Sequence, residues 1–103
     1  MVFLLYSTKN NFEVISFDIS EERKPDILGD ICTYDFKELE FDVVVIAEVL
    51  EHLHSPHLAI DNIKKILSKN GKLILTVPFI FPIHERPYDY YRYTKFGLSF
   101  LLQ

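Results

Sequence analysis

Glycine is scarce in this chain. Of 103 residues only three are glycine, Gly29, Gly71 and Gly97, and none lies near the start. A loop that lets the backbone close tightly on a ligand usually draws on glycine, and the opening segment has none to offer. Cysteine is scarcer still. The single Cys32 excludes an internal disulfide framework and fits a reducing, cytoplasmic setting. No catalytic pattern surrounds Cys32, so it reads as a packed small side chain. Excess basic charge is also missing. A formal net charge of -4 leaves no electrostatic footprint for nucleic acid. No apolar run is long enough to span a membrane, and Met1–Tyr6 is too short and lacks the basic flank of a secretory signal. Repeats and low-complexity tracts are absent. What remains is one small domain over residues 1–103, with 49% hydrophobic and 25% charged residues, as in a globular protein.

The most informative stretch is Phe41 to His57, FDVVVIAEVLEHLHSPH. Its unbroken β-branched run, Val43 to Ala47, suits a strand covered on both faces. Polarity then changes abruptly. Glu48, Glu51, His52, His54 and His57 all follow the strand's carboxyl end, where open α/β sheets bind ligands. Solvated helix-start residues would give the same spacing.

Before this stretch, Val2–Tyr6 reads as a short strand or the tail of a helix. Ser7–Glu13 is too short for a parallel crossover, so Val2–Tyr6 either pairs antiparallel with the next strand or is helical. The helix is favoured, because a helix feeding a strand through Asn10-Asn11 gives an ordinary αβ connection. Val14–Phe17 predicts a strand ending at Asp18, and Asp26–Ile31 a short strand and loop with Asp30 at its exit. Each Asp is either a turn cap or a ligand-facing acid. Thr33–Glu40 suggests a turn or short helix. After the central stretch, Ser55-Pro56 marks a helix start. Leu58, Ala59, Ile63, Ile66 and Leu67 form its apolar stripe, with Asp61, Lys64 and Lys65 facing out. Asn70-Gly71 predicts a left-handed helix end, and Lys72–Val77 a strand that Pro78 stops. Phe79–Tyr93 is proline-broken and aromatic, a loop expected to cross the sheet's carboxyl edge. Thr94 is a candidate N-cap for a helix over Lys95–Leu102. The fold class is α/β, a mostly parallel sheet of about four strands flanked by helices.

Taken in order, VISFDIS, LGDI, FDVVVIAEVLEHL, an amphipathic helix, Asn-Gly, LILTVP and HERPYDYYRYTKFGL resemble the class I S-adenosylmethionine-dependent methyltransferases. The nearest likeness is the small-molecule kind often labelled type 11, and it covers about Phe12 to Leu102. The resemblance implies a Rossmann-like sheet, S-adenosylmethionine as cofactor and a small-molecule acceptor. It places Asp18 on the ribose hydroxyls with Ile19 beside it, and Asp30 on the adenine amino group with Ile31 against the ring. Ala47 and Glu48 fall near the methionine end of the cofactor. Glu51 and His52 match a Glu-His pair at a helix start. Pro78, His84, Tyr88 and Arg92 fall where the acceptor lies. If the acceptor must lose a proton, His84 or His52 is the candidate base.

Against that family the chain lacks the opening strand and its glycine-rich loop, so the fold is expected to be truncated at its start, and also short of the final antiparallel strands. The missing strand is central in the family's sheet. Its absence would leave backbone groups unpaired on both neighbours, at roughly 1–3 kcal/mol for each buried one. Direct pairing of those neighbours, or a homo-oligomer built on the open edges, is the expected repair. Without the loop, S-adenosylmethionine binding is expected to be weak or absent, and a non-catalytic remnant acting as a binding or assembly module is the alternative function. No metal is expected, since His52, His54 and His57 lack ligand spacing on one helix and no HExxH occurs. Tyr88, Tyr90, Tyr91 and Tyr93 are expected to pack a loop and leave hydroxyls at a pocket rim rather than stack nucleic-acid bases.

Overall fold

A computed structural model describes residues 1–103. Its strands are β1 (Val2–Ser7), β2 (Phe12–Asp18), β3 (Ile27–Leu28), β4 (Phe41–Ala47) and β5 (Leu67–Thr76). They form one five-stranded sheet in the order β3-β2-β1-β4-β5. Two α-helices, α1 (Pro56–Ile66) and α2 (Lys95–Leu101), complete the α/β fold. No helix is long and apolar enough to cross a membrane.

The first correction to the sequence reading concerns Val2–Ser7. The segment is a strand, not the tail of a helix, and it occupies the middle of the sheet. Its burial alternates with period two: Val2 and Leu4 are buried, Phe3 and Leu5 only partly so. The polar residues after it make a hairpin turn, which needs far fewer residues than a crossover. Thr8 closes that turn by donating its amide and hydroxyl to the Asn11 carbonyl, at 2.7 and 3.0 Å. At its far end β1 is clasped to β4 through Asp42. One oxygen of Asp42 accepts from the Ser7 amide and hydroxyl, at 2.7 and 2.8 Å, and the other from the Ser68 hydroxyl at 3.0 Å. The Ser7 amide above all holds the Asp42 carboxyl below its ordinary pKa.

The sheet is therefore mixed, with five strands rather than about four. β2 pairs in parallel with β3, and β4 with β5, while β1 runs antiparallel to both β2 and β4. The gap expected between the second strand and the Phe41–Ala47 strand is filled from within the chain. Neither direct pairing of those two strands nor a second copy is needed to satisfy their edges. The edge strands β3 and β5 each have a single neighbour, and β5 carries Lys69 and Lys72, charges of the kind that blunt an open edge.

Helix α1 covers one face of the sheet with Ala59, Ile60, Ile63 and Ile66 buried. Asp61, Lys64 and Lys65 face solvent as their spacing predicts, while Leu58 is exposed and Ile60 takes its place in the stripe. Ser55 makes no side-chain cap; its carbonyl accepts from the Leu58 amide at 3.0 Å. The helix stops at Ile66, with Leu67 already extended and no glycine in a left-handed conformation. Asn70-Gly71 thus lies inside β5, in a bulge that takes the register from Phe41↔Leu67 to Val43↔Lys72. There Gly71 folds back so closely that a Cβ would sit 3.0 Å from the backbone of Ser68. The opposite face of the sheet, with Phe3, Leu5, Val14, Val43, Val45 and Ile74, is at least partly exposed. The Phe41–Ala47 strand is thus covered on one side, not both, because its β-branched run cannot distinguish a doubly covered strand from one with a bare apolar face. Thr94 caps α2 as expected, its hydroxyl accepting from the Gly97 amide at 3.0 Å.

Candidate functional site

Because β2, β3, β4 and β5 all point one way, their carboxyl ends share a rim. β1 enters from that rim, and Met1 exchanges hydrogen bonds with Ala47 there, both 3.3 Å long. Ala47 is thus occupied by backbone pairing. Asp18 at the exit of β2 and Asp30 just past β3 line one narrow apolar slot with Phe17, Ile19, Ile31, Val49 and Leu53. The slot holds only about 60 Å³. A flat ring entering it must displace a side chain, and Ile19, 71% exposed, is the least restrained.

Local hydrogen bonds set both acids in place. Asp18 Oδ1 accepts from the Ser20 amide at 3.0 Å, and the Asp18 carbonyl accepts from the Gly29 amide at 2.9 Å. Its Oδ2 is buried with no hydrogen-bond partner, the nearest charge being Arg23 Nη1 at 3.6 Å. Asp30 Oδ1 accepts from the Cys32 amide at 2.9 Å, and Asn62 on α1 pins the following loop by donating to the Ile31 and Tyr34 carbonyls. Both acids therefore cap turns, and Asp18 keeps one oxygen free.

From Asp18 the rim opens into a cleft of about 630 Å³, in the range of small-molecule sites. Ile19, Glu22, Arg23, Glu48, His52, Glu85, Arg86 and Tyr88 are among its walls. Four carboxylates, those of Asp18, Glu22, Glu48 and Glu85, face two guanidiniums. The Phe79–Tyr93 loop forms the far wall, and the ion pair of Arg23 with Glu85, at 2.7 Å, ties it back to the exit of β2. Glu48 and Glu85 both hold left-handed backbone conformations, with φ of 54° and 51°, uncommon for residues other than glycine.

Behind the cleft, Leu50–His52 forms one turn of 3₁₀-helix that buries Glu51 completely. Neither Glu51 oxygen has a hydrogen-bond partner, and burial pushes its pKa up. His52 and His84 come from distant parts of the chain and meet edge to face with ring centroids 4.6 Å apart. His52 Nδ1 bonds the Tyr88 carbonyl. A carbonyl only accepts, so Nδ1 carries the proton and Nε2 of the neutral ring is a lone pair. His84 is oriented by Asp89, which accepts from its amide at 3.0 Å and lies 3.4 Å from its Nδ1. Arg92 is spent on that same carboxylate. Its guanidinium, then the His84 amide, holds Asp89 far below the usual carboxylate range.

Of the residues singled out from the sequence, Asp18, Ile19, Asp30 and Ile31 share the slot, and Glu48, His52 and Tyr88 line the cleft. His84 stands beside His52. Arg92 does not line the cleft; it sits with Asp89, Phe79, Phe81 and Ile83 on a separate surface. The tyrosines clasp the 3₁₀ turn. Tyr90 and Tyr91 donate their amides to the Glu51 carbonyl at 2.8 and 3.2 Å, and the Tyr90 hydroxyl meets His54 at 2.7 Å. Sequence reasoning missed Arg23, Glu85 and Asp89. Their signal was only a charge in a loop, and their partners lie up to 62 residues away.

A family model described as a methyltransferase domain matches residues 2–98. No curated protein and no solved structure matches the chain.

Proposed function

The chain belongs to the class I S-adenosylmethionine-dependent methyltransferases, and on that premise we propose that its rim cleft takes S-adenosylmethionine for methyl transfer to a small-molecule acceptor. The observation that carries the reading is the unpartnered Oδ2 of Asp18, buried at the junction of slot and cleft. A carboxylate oxygen there fits a ribose hydroxyl donor. Asp30 and Ile31 would meet the adenine in the slot. The acid-rich wall, Glu48 and Glu85 above all, favours a cationic ligand. When bound, the cofactor supplies a methyl group already activated on a positively charged sulfur. The protein's own task is then alignment and water exclusion, with the Phe79–Tyr93 loop and Tyr88 closing over the acceptor. His52, through Nε2, or His84 would accept a proton from an acceptor that must lose one.

The titration that tests this uses S-adenosylmethionine and its demethylated, uncharged-sulfur product, each against the full chain and Asp18→Ala. The cationic form should bind more tightly, though more weakly than about 1 μM, because the turn after β1 lies away from the rim. Asp18→Ala should weaken it at least tenfold, the loss of one or two charge-assisted hydrogen bonds. Equal affinities for the wild-type chain and Asp18→Ala would refute the assignment. A second reading, a binding or assembly module without turnover, is supported by β1. It runs opposite to its neighbours, so the turn that follows it lies at the other end of the sheet from the rim. Cofactor binding without methyl transfer to any acceptor would favour it.

A further inference from the structure

We propose that Glu51, His52 and His84 form a divalent transition-metal site, with zinc the ion that the ligand set fits best. The site begins with a buried carboxyl group that no hydrogen bond answers. Glu51 is wholly inaccessible, yet both carboxylate oxygens lack a donor. Groups of this kind are normally hydrogen-bonded, paired or bound to a metal. Two imidazoles face the same oxygen: His52 Nε2 lies 3.5 Å and His84 Nε2 3.6 Å from Glu51 Oε2. One ligand atom from each residue falls within 4.8 Å of the others.

Ligand atoms are concentrated here. His52 bonds the Tyr88 carbonyl through Nδ1 and turns Nε2 toward Glu51, and toward Glu85 Oε2 at 3.2 Å. A metal ion between them would take a lone pair from each. Zinc bonds of about 2.0–2.2 Å to nitrogen and oxygen in a tetrahedron put neighbouring ligand atoms about 3.3 Å apart. The 3.5 and 3.6 Å separations from Glu51 Oε2 come near that, and the two histidine nitrogens, within 4.8 Å of each other, would draw closer on a bound ion. Two histidines and one glutamate make a known kind of zinc set with one position left open. The groups behind the ligands also fit. Metal-bound histidines usually give their other nitrogen to a carbonyl or carboxylate. Tyr88 provides the carbonyl behind His52, and Asp89, locked by Arg92, stands 3.4 Å from Nδ1 of His84. His52 and Glu85 border the cleft, so the site adjoins it.

The spacing of His52, His54 and His57 had pointed away from any metal. His84 lay outside that pattern, and only the fold brings it in. The inference does not depend on cofactor binding. It does exclude His52 as a proton acceptor while Nε2 is occupied, so one titration decides between the two roles.

The test is calorimetric titration of Zn²⁺ into the metal-stripped full chain, with Co²⁺ as a visible-absorption probe of geometry. One ion per chain should bind at micromolar or tighter affinity, and Co²⁺ should show intense tetrahedral ligand-field bands. His84→Ala and His52→Ala should each weaken binding at least tenfold and abolish the zinc-dependent rise in melting temperature. His57→Ala, on the exposed start of α1, should change neither. His84 is 28% exposed on an irregular loop, so its truncation is expected to leave a folded chain, which circular dichroism without metal checks. Absence of saturable binding, or equal zinc affinity in the folded wild-type chain and in either folded histidine variant, would overturn the proposal.

Discussion

The reversed central strand makes a demanding prediction through Leu4. Its side chain is fully buried, and its residue pairs with Ile15 on one side and Val44 on the other. Leu4→Ala would leave a cavity between β1 and α1's side of the core, where the sheet's hydrogen bonds on both edges resist collapse. Buried Leu→Ala changes cost about 3–5 kcal/mol when the surroundings cannot close in. The whole domain is expected to hold only about 5–15 kcal/mol. Urea unfolding followed by circular dichroism should therefore show a midpoint displaced by about a fifth or more of the wild-type value, with unchanged slope. In a thermal scan the loss corresponds to roughly 12 °C or more. Two controls separate packing from strand propensity. Leu4→Met keeps the volume and should cost less than about 1.5 kcal/mol. Tyr6→Ala, further along the same strand but 39% exposed, should cost much less than Leu4→Ala. If Leu4→Ala cost no more than Tyr6→Ala, Val2–Ser7 would not be the middle of the sheet.

Alkaline stability should fall in two steps. Burial, helped by neighbouring Asp30, pushes the Cys32 thiol up to about 11, and burial pushes the Tyr93 phenol up to about 12. Both folded values lie above the ordinary ones of 9.0 and 10.0, so the folded chain favours the protonated forms. Their stability is fully present below about pH 9 and is lost as pH rises, through 9–11 for Cys32 and 10–12 for Tyr93. Urea unfolding at stepped pH should show the decline. Cys32→Ala should flatten the first part and Tyr93→Phe the second, and the same slope in all three proteins would contradict the assignment. At Glu48, whose φ is 54°, glycine relieves a left-handed conformation at about 1–2 kcal/mol and gives back about 0.5–1 in unfolded-chain entropy. Glu48→Gly should therefore melt above Glu48→Ala, and the reverse order would show that the backbone there is unstrained.

The strands over Phe12–Asp18 and Phe41–Ala47, helix α1 and the Thr94 cap were legible because each is a local matter of side-chain period or turn chemistry. The same holds for Asp18 and Asp30, whose place at strand exits follows once the strands are read. What local pattern could not supply was direction and partnership. Val2–Ser7 is too short for its period to separate strand from helix. Its identity as the central, antiparallel strand comes from Phe17, Leu4 and Val44 packing together across three strands. Asn70-Gly71 shows the same limit: a helix-ending dipeptide in isolation, it lies in a bulge because Phe41 pairs with Leu67 and Val43 with Lys72 on either side of it. The sequence by itself determined the α/β class, the family and the acids at the rim, since short-range periodicity and motif order carry those. Only the tertiary structure decided that the sheet closes without a gap and that His84 reaches Glu51 and His52 from 32 residues beyond His52. Both are contacts between segments whose separation along the chain no local signal encodes.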